Sequence, residues 1–386
     1  MKVLGIETSC DETAICLIEA AGKREKDFTF RILGNALHSQ ASVHSLYGGV
    51  FPNLAKREHA ENLVPLLQSV LEQAERSTEK PSDISLYAQK LKEILEREAG
   101  LYEQLAKFLE KCARPDIDAI AVTHGPGLEP ALWVGVNFAK ALSLVWDIPT
   151  VAVNHMEGHF LISLLEKRDE EFQISNFKFP ILGLLISGGH TELVLSREWM
   201  KYEILGETRD DAVGEAFDKV ARMLGLPYPG GPHVSRLAEG ARAHAFPSPV
   251  TLPRPMLLDS SYDFSFAGLK TAVRRLIGSR ELSEKEKAEI AREFEDAVTD
   301  VLLGKTRRAI EEFGVKTLVV GGGVSANKNI RRRLESFSEK DCAVFFPSPE
   351  FATDNAVMIA LAGYCHAQNR DFVNPDMLRA DGNLRL

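Results

Sequence analysis

The sequence has only five cysteines in 386 residues (Cys10, Cys16, Cys112, Cys342 and Cys365), and no two of them form a Cys-x-x-Cys pair. Neither a thiolate zinc site nor a disulfide scaffold is indicated, and the thiols read as small buried residues in a reduced compartment. No apolar run reaches the eighteen or so residues that a membrane helix needs. The opening Met1-Lys2-Val3-Leu4-Gly5 reads as a strand, not a signal peptide, so a cytoplasmic address and no membrane partner are expected. Basic charge is also short: 46 Lys and Arg against 55 Asp and Glu leave a net charge of −9. That balance argues against a protein that coats nucleic acid indiscriminately. Lys56-Arg57, Arg274-Arg275 and Arg331-Arg332-Arg333 remain as local clusters, each read first as solvated surface. What the chain does have is apolar residues, 45% of the total, enough for a large core and more natural in two lobes than in one.

The most informative feature is a repeat. Leu4-Gly-Ile-Glu-Thr-Ser9-Cys-Asp-Glu-Thr13-Ala-Ile-Cys-Leu17 lies without a gap on Leu182-Gly-Leu-Leu-Ile-Ser187-Gly-Gly-His-Thr191-Glu-Leu-Val-Leu195. Both copies read as strand, short polar turn and strand. A second echo follows: the strand from Ile117 to Val122 runs into Gly125-Pro-Gly127 and a helix, as Val315 to Val320 runs into Gly321-Gly-Gly323 and a helix. Buried strands alternating with amphipathic helices predict two α/β lobes, residues 1–150 and 151–386, with mainly parallel sheets and a ligand cleft between them. Residues 75–114 depart from the repeat. They read as an inserted helical hairpin, with Ile84, Leu91 and Leu95 on one stripe and Leu101, Leu105, Phe108 and Leu109 on another, separated by Gly100. Lying outside both repeats, the hairpin is expected to be decoration on the first lobe, removable from Ser82 to Ala113 without loss of nucleotide binding.

Asn154-His155-Met-Glu-Gly-His159 places two imidazoles one helical turn apart, where they can share a metal ion. A zinc protease would instead carry His-Glu-x-x-His; here Met156 follows the first histidine, and Glu157 is turned about 100° further round the helix. A third ligand has to come from elsewhere. The loop before the apolar helix from Ala356 to Tyr364 offers Asp354, whose plain role would be to cap that helix, as Thr353 also could. Two imidazoles and a carboxylate suit iron or zinc with coordination positions left open. Two glycine-rich turns after strands, Ile186-Ser-Gly-Gly-His190 and Gly321-Gly-Gly-Val-Ser-Ala-Asn327, allow close approach of backbone amides to an anion. An actin-like ATPase or sugar kinase would use the same loops, but it coordinates magnesium through carboxylates and has no need of the histidine pair.

These motifs occur together with Tyr47-Gly-Gly-Val-Phe-Pro52, Gly214-Glu-Ala-Phe-Asp-Lys219, Tyr228-Pro-Gly-Gly-Pro232, Asp263-Phe-Ser-Phe266 and Thr353-Asp-Asn355. In that order they closely resemble the TsaD family, the tRNA N6-adenosine threonylcarbamoyltransferases, once described as O-sialoglycoprotein endopeptidases. The resemblance implies a duplicated actin-like, sugar-kinase-like fold, one iron or zinc ion on His155, His159 and Asp354, and transfer from threonylcarbamoyl-AMP to adenosine 37 of tRNA. It places substrate on Ile186, Ser187, Gly188, Gly189 and His190, and on Asp218, Gly231, Ser235 and Asn327. Asp218 is expected to accept ribose hydroxyls and Asn327 to lie near the nucleoside. It also implies an adenine nucleotide ligand (the adenylate, or ATP or ADP) and accessory proteins, a paralogous TsaB-like subunit and a small TsaE-like ATPase. Two features depart from the family: Asn53 stands where glutamate is usual, and the 75–114 insertion is atypical. Asp11 and Glu12, aligned with Gly189 and His190, add a reading of their own. Two adjacent carboxylates would repel a phosphate unless a cation or the incoming amine compensates, so we expect them to act in the transfer step as orienting group and general base.

Overall fold

The computed structural model describes residues 1–22, 28–74, 83–169, 171–244, 250–340 and 342–386. β1 (Lys2–Glu7) is buried from Val3 onward, as a strand covered on both faces must be. It returns antiparallel into β2 (Glu12–Ala21), with Leu4 opposite Leu17, and β3 (Thr29–Ser39) pairs antiparallel with β2. On the other side of β1, β4 (Ala119–Gly125) and β5 (Thr150–Asn154) are added in parallel, and the hairpin β6 (Leu165–Arg168) and β7 (Glu171–Ile174) extends the far edge. The order is β5-β4-β1-β2-β3-β7-β6.

A second sheet holds β8 (Ile181–Ile186), β9 (Thr191–Glu198), β10 (Lys201–Glu207), β11 (Thr317–Gly321) and β12 (Ala343–Phe345), in the order β10-β9-β8-β11-β12. Taken from β12, the strand order and the senses of pairing are those of β5-β4-β1-β2-β3, and Leu182 faces Leu195 as Leu4 faces Leu17. The repeat read in the sequence is therefore a repeat in register. The sheets are mixed, however, not mainly parallel. In each five-strand set the hairpin side pairs antiparallel, and only the strands reached by long crossovers pair parallel.

The chain also divides differently from the expected 1–150 and 151–386. One unit is Met1–Asn176 with Asp354–Leu386, and the other is Phe177–Thr353. Two segments account for this: β5, β6 and β7 belong to the first sheet, so the chain through the helix His155–Ile162 stays with it, and the C-terminal helix Ala356–Gln368 returns to it. The C-terminal helix lies so close that a Cβ on Gly5 would stand 2.4 Å from the Ala356 carbonyl oxygen, and one on Gly363 would stand 2.2 Å from the Ala121 Cβ. Only glycine at both positions permits that approach. The histidine pair consequently sits in the first unit, not the second.

In the first unit α1 (Pro52–Gln73), α2 (Ala88–Ile94), α3 (Leu101–Leu109) and α4 (Glu129–Trp146) accompany the sheet, and α5 (His155–Ile162) follows β5 directly. Part of the expected insertion, 75–82, lies outside the described residues. The rest is helical as read, with Gly100 at φ 78° preceding α3. Its placement corrects the expectation of decoration. Leu91, Leu95, Leu101, Leu105 and Leu109 are buried in one apolar cluster with Leu63, Leu67 and Leu142, and Ile84 and Phe108 pack against it. In the second unit, the 30-residue helix Glu284–Phe313 starts on a Ser283/Glu286 capping box, and its Phe294 ring meets Phe217 edge-on at 5.0 Å. No described helix is long and apolar enough to cross a membrane.

A hairpin that shares the core cannot be removed cleanly. Leu105→Ala should cost about 2–5 kcal/mol in chemical denaturation, the range for emptying a buried leucine site. Removal of residues 83–113 should abolish cooperative unfolding of the first unit, and a deletion that melted like the full chain would contradict the packing.

Candidate metal centre and substrate loops

β1 ends on Glu7, a fully buried carboxylate that accepts from three donors. The Ser9 amide donates to Oε1 at 2.5 Å, the Thr123 hydroxyl on β4 donates to Oε2 at 2.6 Å, and His155 Nδ1 lies 3.0 Å from Oε2. Because an ionised carboxylate only accepts, that ring nitrogen carries hydrogen and Nε2 faces away from Glu7. His155 opens α5. The Asn154 side chain caps the helix by accepting from the amides of Met156 (2.8 Å) and Glu157 (3.4 Å), which fixes where the first turn starts. His159 follows one turn on, its ring edge-on to His155 at 4.7 Å between centroids. Both Nε2 atoms converge on one oxygen, Asp354 Oδ1, at 3.4 Å from His155 and 3.0 Å from His159. Asp354 is free to do so because the C-terminal helix is capped by Asn355, which accepts from the Met358 amide; this replaces the expected cap by Thr353 or Asp354.

Electrostatics tie these four groups together. Burial pushes the His155 imidazole down, but the carboxylates of Glu7 and Asp354 outweigh it and hold the ring well above its ordinary 6.5. Burial pushes Glu7 and Asp354 up, and the imidazoles outweigh it, so both carboxyls lie below their ordinary range. For His159, burial prevails over the pull of Asp354 and leaves the ring below its ordinary value, hence neutral. The donor set fits a divalent transition ion. Two imidazole nitrogens and a carboxylate oxygen lie within 4.8 Å of one another, and an ion entering among them would displace the extra proton of His155. Glu157 has no part in this cluster. Its Oε2 lies 2.6 Å from His366 Nε2, and His366 Nδ1 is 2.8 Å from Asp371, so Glu157 is not placed as the water-activating base of a protease.

Asp11 and Glu12 follow the β1 end. Glu12 is the first residue of β2, half-buried, with Ser39 Oγ donating to its Oε1 at 3.3 Å. Burial, then the charges of Asp11 and Asp354, push its carboxyl up to about 10. Among the cysteines, Cys16, Cys342 and Cys365 are buried, whereas Cys10 in this turn and Cys112 are only partly so.

In the second unit Ile186 ends β8, and the turn closes on itself: the Ser187 amide donates to the His190 carbonyl (2.9 Å), and the His190 amide donates to Ser187 Oγ (3.1 Å). A Cβ on Gly188 or Gly189 would meet nothing within 4 Å, so these glycines face open space. Geometry demands glycine instead at Gly322, where φ is 87° and a Cβ would stand 2.5 Å from the Ile186 carbonyl. Asn327 caps the helix Lys328–Glu335 through Oδ1. Its Nδ2 donates to Glu295 Oε1 at 2.6 Å and to Ser235 Oγ at 3.3 Å, so two of the expected substrate residues are brought together. Asp218, expected to take ribose hydroxyls, accepts the Gly230 amide at 2.6 Å through Oδ1, with Gly231 next to it. Glu7, Thr123 and Glu295 escaped the sequence reading; the one available signal was a glutamate closing an otherwise apolar strand. The basic clusters are largely solvated surface, as read. Arg333 pairs with Asp300 at 2.7 Å and Arg331 with Glu335 at 3.7 Å, while Arg274 and Arg275 are exposed at the end of the helix Ala267–Ile277.

Fold and site together define a duplicated α/β protein of actin-like fold, with a two-histidine, one-carboxylate cluster in its first unit. The structure of HypF from T. kodakarensis is similar at a TM-score of 0.50 and 14% identity, over 72% of this chain and 45% of that one. Full-length HypF in a phosphate- and nucleotide-bound form is similar at 0.50 and 11%, over 95% and 55%. The chain spans about half the length of these structures, and at such identity the likeness speaks for the fold alone. The sequence model of one family, TsaD (tRNA N6-adenosine threonylcarbamoyltransferase), matches residues 31–86 and 99–361. The chain belongs to that family. His155, His159 and Asp354 fall inside the match and the β1–β2 hairpin falls before it. Only 87–98 is left out between the matched segments, a narrower departure than the expected 75–114.

The cluster makes a prediction for the metal-free protein. His155, with its folded pKa raised, stabilises fully below its ordinary 6.5, and that contribution is lost as pH rises through the raised value. Glu7 and Asp354, with folded pKa lowered, stabilise fully above their ordinary 4.5 and 3.8, and lose it as pH falls through the lowered values. The cluster's contribution should therefore be largest between pH 4.5 and 6.5. NMR titration should show His155 still protonated above 6.5. Glu7→Gln should bring it down, and an unchanged titration would dismiss the pairing.

Proposed function

We propose that this chain transfers the threonylcarbamoyl group from threonylcarbamoyl-AMP to the exocyclic amine of adenosine 37, in tRNAs reading codons that begin with A, and that it uses one iron or zinc ion. The observation that carries the reading is the convergence of His155, His159 and Asp354 in a chain of this family. The acceptor amine is a poor nucleophile because its lone pair is delocalised into the purine ring. Catalysis then rests on positioning and on stabilising charge at the donor carbonyl. An ion bound at the cluster would supply a Lewis acid and an orienting centre for the donor.

The protein's own groups do the rest. Glu7 and Thr123 hold the His155 ring so that Nε2 points at the ligand position, and Asn154 fixes the turn on which both imidazoles ride. The amine nitrogen attacks the carbonyl carbon, the bond from that carbon to the phosphate oxygen breaks, AMP leaves with the electron pair, and one amine proton is given up. Asp11 is the group assigned to take it. Glu12, with its carboxyl pushed up to about 10, stands protonated beside it and can donate a hydrogen bond until a nearby cation lowers it. For the adenylate, the open turn at 187–190 offers backbone amides, and Ser235, Asn327, Asp218 and Gly231 offer polar atoms for the nucleoside. Accessory proteins, a TsaB-like paralogue and a small TsaE-like ATPase, belong to the same reading.

Metal content comes first among the tests. The purified protein should hold about one iron or zinc per chain, and His155→Ala and Asp354→Ala should each lose most of it. Wild-type metal in both would end the assignment. The transfer is tested with synthetic donor and unmodified tRNA, by nucleoside analysis of the product. Asp11→Asn and Glu12→Gln should keep metal and melting temperature, and Asp11→Asn should slow turnover by about 10²–10⁴, the usual worth of a general base. Full turnover in both variants would return the pair to a structural role in the turn.

A further inference from the structure

Immediately after β3, a short helix (Ala41–Ser45) leads into a loop with three exposed apolar side chains: Leu46 at 82%, Tyr47 at 65% and Phe51 at 52%. The Tyr47 and Phe51 rings lie near-parallel, 25° between planes and 6.2 Å between centroids. Rings presented to water in this way forfeit the burial that normally pays for an aromatic side chain.

The loop is nevertheless held firmly from beneath. The Tyr47 amide donates to the His44 carbonyl at 3.0 Å, and the Phe51 amide donates to His44 Nδ1 at 3.3 Å. His44, fully buried, passes its Nε2 hydrogen to Gln40 Oε1 at 3.0 Å. Gln40 Nε2 lies 3.3 Å from Thr13 Oγ1 and 3.2 Å from His59 Nδ1, and the Thr13 hydroxyl donates to that nitrogen at 2.7 Å. His59 Nε2 then donates to the Cys10 carbonyl at 3.1 Å, and the Gln40 amide donates to the Asp11 carbonyl at 2.9 Å. Every buried member of this chain is satisfied when both histidines are neutral with hydrogen on Nε2. Burial favours that form, pushing His59 down to about 4. A loop with exposed rings is thus fastened, atom by atom, to the turn that carries Asp11 and Glu12.

What lies beside the rings selects the occupant. Phe51 is the N-terminal cap of the 22-residue α1, whose first turn holds no acidic residue and whose cap makes no side-chain hydrogen bond. Asn53 is neutral there, and Lys56 and Arg57 follow on the next turn, Arg57 well exposed and answered only at 3.7 Å by Glu58 and Glu61. Stacking faces next to an unneutralised helix N-terminus and a cation match unpaired bases on a phosphate backbone. A purely apolar protein partner would have no use for the open helix end.

We propose that residues 46–51 form a stacking platform for unpaired bases of the RNA acceptor, held in register with the turn at 10–12 by the buried His44, Gln40, Thr13 and His59 chain. The proposal rests on the transferase reading for the identity of the RNA, not for the existence of the platform.

The test uses the metal-replete full chain with an unmodified tRNA carrying adenosine 37. Tyr47→Ala with Phe51→Ala should weaken tRNA binding, and raise KM for tRNA, by about tenfold or more, the scale of one or two lost base stacks. The effect on KM should exceed that on kcat, and metal content and donor affinity should stay as in wild type. Tyr47→Leu with Phe51→Leu, which keep apolar bulk but not the ring face, should show most of the same loss and guard against misfolding of the loop. Leu86→Ala, at another exposed leucine, should behave as wild type. Unchanged tRNA affinity in the ring variants overturns the platform, and the same result with a shifted oligomeric state or lost protein partner marks the patch as a protein interface instead. If wild type performs no transfer yet binds tRNA, the transferase reading fails, and the loss of binding in the ring variants still decides the platform.

Discussion

A buried carboxylate at the end of β1 is the constraint on which the first unit's chemistry depends. Glu7 is fully buried and, among the described residues, is paired with no lysine or arginine, so its charge is answered by hydrogen bonds and by an imidazole. Each of those answers comes from a different element: the Ser9 amide from the β1–β2 turn, Thr123 from β4, and His155 from α5. Satisfying one charge therefore aligns three segments. It also sets the direction of His155 Nε2, which would otherwise be free to swing. The second imidazole and Asp354 complete a set whose members cannot be removed singly, because each deletion leaves an uncompensated charge or an orphan donor.

Asp354 has to be brought in from the far end of the chain, and the cost is borne by glycine. The C-terminal helix can lie against β1 and β4 only because Gly5 and Gly363 carry no side chain, and that approach delivers the residues just before the helix to the end of the sheet. Asn355, not Asp354, then takes over the helix amides. This division of labour between neighbouring residues lets a carboxylate at a helix start face a ligand position instead of its own backbone.

Much of this was legible in the residues. The ungapped match of Leu4 through Leu17 onto Leu182 through Leu195 foretold a duplicated hairpin, and the structure pairs the terminal leucines as the match requires. The spacing of His155 and His159 foretold a shared helix face. Pairing sense was not legible, since a buried apolar strand looks the same beside a parallel or an antiparallel neighbour. The unit boundary was hidden too, because nothing local in Gly5 or Gly363 announces that a helix more than 350 residues onward will use the gap at Gly5. The helical hairpin was misjudged for a related reason: its stripes showed that it would bury leucines, but not whose core would receive them. Glu7 was overlooked because its value lies in partners 116 and 148 residues away.

The two copies of the hairpin show how one framework carries two chemistries. Thr13 and Thr191 occupy equivalent places just past the turn, and each supports it from the buried side. Thr191 Oγ1 accepts the Val213 amide at 2.8 Å, so the second turn is braced on a helix start and its exposed positions can be Gly188 and Gly189, bare backbone facing open space. Thr13 is braced on His59, whose other nitrogen reaches back to the Cys10 carbonyl, and this polar support fixes a turn that carries the half-buried Asp11 and Glu12 where the second copy has Gly189 and His190. A turn of bare amides suits an anion, and a turn of carboxylates suits a cation or an amine. Duplication supplied the same strand order twice, and the divergence lies in what each threonine was given to hold.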